Sequence, residues 1–166
     1  MPPVRPSTGG SATADGRRAL LVAELSADGS GPVPTGRDAA FFRGVVEKEV
    51  ARFGGRASQV GTVLRAEFGD LGQSLKCALA VQDQVGNHDD GRLIKWSRLG
   101  LHVADAPSAQ TFAVVERIGR KASPGGLCVS REFVSALGKA PVMFAPLGPV
   151  LLSGIAKPMD LFAWPP

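Results

Sequence analysis

The chain has 166 residues and a formal charge of +4 at pH 7, with 44% hydrophobic and 20% charged residues. That balance suits one ordinary globular domain and excludes a disordered or fibrous chain. No apolar run approaches the ~20 residues that cross a bilayer, the N-terminus lacks an apolar signal segment, and the positive charge is scattered without a Lys/Arg block. The expectation is therefore a cytoplasmic protein with no membrane span and no nucleic-acid partner.

Residues 1–16 are rich in Pro, Gly, Ser and Thr and are expected to form a disordered tail, leaving 17–166 as the domain. The run Ala19-Leu20-Leu21-Val22-Ala23 predicts a central strand covered on both faces, ending in Glu24-Leu25-Ser26. After a Gly/Pro-rich loop, a helix is expected from about Gly36 to Phe53, with Thr35 or Asp38 to cap it. Phe42, Val45, Val46, Val50 and Phe53 make its apolar stripe, and Gly54-Gly55 stop it. A hairpin follows, with its tip near Gly61-Thr62 and its exit strand ending Ala66-Glu67-Phe68. Asp70 and Gln73 suggest a capping box for the next helix, whose apolar face is Leu71, Leu75, Ala78, Leu79, Val81 and Val85.

The segment 87–92, NHDDGR, reads as a solvated loop in which His88 is a surface residue rather than a metal ligand. Residues 93–103 read as a strand. His102 is a packing residue at its end, with no Ser or Cys partner evident for a general-base role. Ser108 is a candidate cap for a helix from Ala109 to about Ala122. Leu127-Cys128-Val129 reads as a short strand, and Ser130 caps a helix over 131–137. Cys77 and Cys128, each among small or apolar neighbours, are expected to be buried reduced thiols.

Four segments carry a resemblance: the helix–Gly54-Gly55–hairpin–AEF stretch over 41–68, RLGLHVAD, PGGLCVS and the ending LGPVLLSGIAKP. Their order and spacing, over about residues 17–165, resemble the catalytic domain of the class III adenylate/guanylate cyclases. The resemblance implies an α+β fold with a ferredoxin-like βαββαβ core and a C-terminal strand-helix-hairpin extension, helices lying mainly on one face. It also implies chemistry in which two metal ions held by two Asp activate a ribose hydroxyl, while Arg, Asn and Lys stabilise charge on the phosphate. In that family the groups come from both subunits of a head-to-tail dimer.

Residue by residue, the resemblance places Glu24 at one metal-binding Asp and Thr62 at the other, in a tip reading Gly61-Thr62-Val63. It places Ala113 at the catalytic Asn, Arg117 at the transition-state Arg and Ser153 at the phosphate-binding Lys. The strand and loop that read the base are missing after Asp105. Loss of one charge-stabilising donor can cost about 3 kcal/mol of transition-state stabilisation. With several missing, the expectation is a non-enzyme with no catalytic residues, metal or cofactor. Arg117, Arg120 and Lys121 read as a basic stripe on one helix, a solvated face or else a phosphate site. The expected function is protein–protein association or regulation, with a protein partner or a second copy. The alternatives are a nucleotide or cyclic-nucleotide binding module, or a non-catalytic subunit of an active cyclase.

Overall fold

The continuous apolar run near the N-terminus becomes β1 (Arg18–Leu25), the strand on which the sheet is assembled. The computed structural model describes residues 16–26 and 31–165, so the expected tail, Gly16 apart, lies outside the described residues. β1 pairs antiparallel with β3 (Val63–Phe68) on one side and β4 (Ser97–Ala104) on the other. With β2 (Arg56–Val60), β5 (Leu127–Ser130), β6 (Ala145–Val150) and β7 (Met159–Trp164), the sheet has seven strands in the order β2-β3-β1-β4-β5-β7-β6.

Helices α1 (Gly36–Arg52), α2 (Leu71–Gly86) and α4 (Arg131–Leu137) cover one face. Helix α3 (Ala109–Gly119) covers the other. β1 is buried on both sides as its sequence requires. Ala19, Leu21 and Ala23 enter the larger core with Phe42, Leu75 and Phe133, while Leu20 and Val22 meet Val115 of α3. The first six elements form the expected βαββαβ core, and the remainder is the expected extension. Among the described residues, no helix is long and apolar enough to cross a membrane.

Both capping candidates of α1 are used at once. The Asp38 backbone N–H donates to Thr35 Oγ1 at 3.2 Å, and the Thr35 N–H donates to the Asp38 carboxylate at 2.7 Å. Arg92 donates to Asp38 at 2.6 Å and to Asp89 at 2.7 Å. The Arg92 hydrogen bond, reinforced by the Thr35 N–H, holds the Asp38 carboxyl down at about 2. The His88 ring stacks on Phe41 with centroids 3.6 Å apart. The segment expected to be a solvated loop is therefore clamped to α1, with Asp89 and Asp90 in left-handed conformations. Asp70 caps α2 through the Gln73 N–H at 3.1 Å.

Two boundaries differ from expectation. Residues Ile94–Trp96 form a 3₁₀ turn, and the strand starts only at Ser97. Helix α3 stops at Gly119, where Lys121 and Ala122 bond back three residues in tightened turns before Ser123-Pro124. Glycine governs how α3 seats on the sheet. A Cβ on Gly100 would lie 2.6 Å from the Val115 carbonyl oxygen and 2.7 Å from the Gly119 nitrogen, so backbone packs on backbone there. Gly55 serves packing as well as chain reversal, since a Cβ there would meet the Phe68 ring at 2.5 Å.

The main core holds a buried amide bonded at both its nitrogen and its oxygen. Gln82 of α2 donates to the Gly126 carbonyl at 2.7 Å and accepts from Ser97 Oγ at 2.6 Å, tying α2 to the starts of β4 and β5. Cys77 and Cys128 are free and buried, and desolvation pushes each thiol up to about 12, well away from reactive thiolate character. The two edges of the sheet differ. All five residues of β2 are exposed, whereas β6 carries Pro146 and Pro149 with an irregularity between Pro146 and Gly148.

Candidate functional site

The end of β1 sends Glu24 to the face covered by α3, because it shares the side of Leu20 and Val22. Arg120, at the C-cap of α3, donates from Nε to Glu24 at 3.2 Å and from a terminal nitrogen to Glu116. The Glu24 side chain is 13% exposed. Burial raises its pKa above the usual carboxylate value, and the Arg120 charge pulls it back only in part. Unfolding therefore releases protons in the interval above the ordinary value of 4.5, so this group makes stability fall as pH rises through its folded value. Glu24→Gln is expected to flatten that fall. Denaturant midpoints for both proteins between about pH 4 and 7 check it, and parallel curves would reject it.

Arg117 occupies the next turn of the same helix. Its guanidinium lies against Gly154, where an added Cβ would sit 3.4 Å from Nη1. Gly154 follows Ser153 in the connection between β6 and β7. The fold thus brings Arg117 beside the segment bearing Ser153, two positions far apart in sequence. Ala113 is half-buried on α3 four residues before Arg117 and so shares its side of the helix. Thr62 is elsewhere, at the exposed hairpin tip beside Gly61, whose φ of 60° makes the turn. There it lines a cavity on the α1 side of the sheet. Arg120 is the C-cap of α3 and keeps helical backbone one turn on from Arg117, whereas Lys121 bonds back only three residues. Arg120 is drawn into its carboxylate pair and Lys121 is exposed beyond the helix.

No protein-family model and no curated protein matches this chain. Solved structures do match. The adenylate/guanylate cyclase/hydrolase from Silicibacter pomeroyi superposes with a TM-score of 0.72 at 21% identity, over 90% of this chain and 96% of that one. The guanylate cyclase domain of RhGC from Catenaria anguillulae, in complex with GTP, gives 0.71 at 12% identity over 90% and 96%. The adenylyl cyclase CyaB from P. aeruginosa gives 0.69 at 13% identity over 89% and 92%. The fold is that of the class III adenylate and guanylate cyclase domains.

On this cyclase fold, Ala104 closes β4 and Ser108 already caps α3, leaving only residues 105–107 between them. Among the described residues, no three His, Cys, Asp or Glu side chains gather in a way that could hold a metal ion. His102, for which the sequence offered no hydroxyl partner, has one. Its Nδ1 lies 2.6 Å from Ser130 Oγ. Ser130 Oγ also accepts the Phe133 N–H at 3.2 Å, so one hydroxyl joins the imidazole to the first turn of α4. Burial lowers the His102 pKa, against an opposing pull from Glu132, which favours the neutral ring. The hydroxyl is fully buried and caps α4, so the pair anchors a helix to β4 rather than presenting a nucleophile. Two aromatic side chains near the helix surfaces are both engaged: Phe41 stacks on His88, and Phe112 packs beside Leu20 and Val22 under the Arg65 guanidinium.

Proposed function

We propose that this cyclase-fold domain works without cyclase chemistry, as an association or regulatory module for a protein partner or a second copy of itself. The observation that carries the reading is the Glu24–Arg120 pair. Glu24 is the carboxylate at the position where the resemblance puts a metal ligand, and a guanidinium from the same chain already takes it. A divalent ion would have to displace Arg120 from a partly desolvated carboxylate. It would find a hydroxyl at Thr62 instead of a second acid, whereas Mg²⁺ requires several oxygen ligands. Ala113 and Ser153 offer neither the amide nor the ammonium that would stabilise charge on a reacting phosphate. A narrower version of the same reading, a non-catalytic subunit that lends Arg117 to an active cyclase, draws on the placement of that guanidinium beside the Ser153 segment.

Three measurements on the purified chain test this. Formation of cyclic AMP or cyclic GMP from ATP or GTP, with Mg²⁺ or Mn²⁺, is expected to equal the buffer blank. Thermal melting with each nucleotide is expected to be unshifted, whereas a ligand at about 100 times its Kd would add about 2.7 kcal/mol. Light scattering then separates a self-associating chain from a 17.2 kDa monomer that needs another protein. Turnover above the blank that Arg117→Ala abolishes would overturn the proposal.

A further inference from the structure

Beside the C-terminal half of α2, on the face of the sheet away from the Glu24–Arg120 pair, lies a groove of about 520 Å³. Its size is within the roughly 300–1,000 Å³ of small-molecule sites. Leu79, Asp83 and Gly86 recur at helical spacing and make one wall. Ile94 of the 3₁₀ turn, Val142 before β6 and Trp164 at the end of β7 make the other. Asp83 is the only charged residue of the lining, which has no Lys, Arg or His.

Three features of the groove attract the same sign of charge. The Asp83 side chain is exposed, and among the described residues no hydrogen bond or ion pair engages its carboxylate. It stands in the last turn of α2, where the helix presents the negative end of its dipole, and no basic residue of that turn offsets either charge. Trp164 packs half-buried against the main core and adds an indole, the aromatic ring that attracts cations best. In a chain of net charge +4, this is a local site of opposite sign.

We infer that this groove binds a small organic ammonium ion, its head at Asp83 and the Trp164 ring and its hydrocarbon body against Leu79, Ile94 and Val142. An apolar wall recovers hydrophobic free energy only from an apolar body. A carboxylate at a helix C-terminus, with no cation beside it, selects a positive head over a negative one. A divalent metal ion is a poorer fit, because it needs several oxygen ligands and the lining has one carboxylate. The groove is apart from Glu24, Thr62 and Arg117, so its occupant would tie the end of α2 to the C-terminal strand without touching those positions.

The test uses hexyltrimethylammonium as the probe, with hexanoate and hexanol as controls that keep the chain and change the head. Isothermal titration of the full chain is expected to give saturable binding of the ammonium, none of hexanoate, and about tenfold weaker binding of hexanol. Asp83→Asn should weaken the ammonium about fivefold. Asp83→Lys should remove its binding, while the melting temperature stays at or above that of the parent because a lysine there complements the helix dipole. In proton–nitrogen NMR spectra the Trp164 indole signal, assigned by its loss in Trp164→Phe, should move as the ammonium is added. No saturable binding of the ammonium, equal binding of hexanoate or hexanol, an unmoved Trp164 signal, or an affinity unchanged by Asp83→Lys would overturn the assignment.

Discussion

Replacing Gly100 by alanine is expected to cost about 3 kcal/mol, the upper part of the usual range for overpacking. The added methyl would lie 2.6 Å from the Val115 carbonyl oxygen and 2.8 Å from the Gly119 Cα. These atoms belong to helix backbone, which cannot rotate away as a side chain can. Relief therefore requires α3 to lift from β4 and β1, withdrawing Val115 and Ile118, both 0% exposed, from the surfaces they cover. Denaturant unfolding measures the loss, and hydrogen exchange locates it. Amides of Ala109–Gly119 should lose protection before those of α2. The effect reaches the candidate site, because α3 positions Arg117 against Gly154 and carries Arg120 to Glu24. A loss below about 0.5 kcal/mol would mean that the helix seats differently.

Gln82→Ala should be of similar size, about 3 kcal/mol, by a different mechanism. The substitution leaves a cavity at a position 4% exposed and strands the Ser97 hydroxyl, itself 0% exposed, without its acceptor. The Gly126 carbonyl fares better, because the Leu99 N–H also reaches it at 3.3 Å. Most of the polar penalty should therefore reside at Ser97. This gives a sharper check than the single value. Adding Ser97→Ala to Gln82→Ala should restore part of the stability, so the double variant should be less damaged than the two losses summed. Strict additivity in a denaturation cycle would show that the bridge is not coupled as drawn.

The chain states its fold openly where burial follows a period. Ala19 to Ala23 reads as a strand covered on both faces because it is one. The stripes of α1 and α2 are those that enter the core, and Thr35, Asp70, Ser108 and Ser130 cap the helices as their positions suggested. What stayed hidden depends on partners distant in sequence. Glu49 lies within α1 on what looks like a polar face, yet it is 1% exposed because Gln84 and Arg52 satisfy it. Arg120 looked like part of a solvated basic stripe with Arg117, yet its guanidinium is taken by Glu24, 96 residues earlier. The local half of that cluster, Glu116 four residues before Arg120, was legible and could have signalled that the arginine was engaged. The Ser130–His102 bond was equally invisible, since the parallel pairing of β4 with β5 is what sets the two residues side by side. Placing Glu24, Thr62, Ala113, Arg117 and Ser153 needed the resemblance. Which of them meet needed the topology.

The unequal edges of the sheet limit how copies of this domain could add to one another. Along β6, Pro146 and Pro149 have no N–H to offer, and the irregular pairing between them spoils the register a new strand would need. Along β2, five exposed residues without proline leave a backbone row available. A sheet open at both ends can grow by strand addition without limit, each newcomer exposing a fresh edge. A sheet open at one end cannot. If two copies meet through β2, each spends its single open edge and the blocked edges face outward, so growth stops at a pair. The prolines of β6 would thus stop strand addition at that edge, so that pairing through β2 would end with two copies.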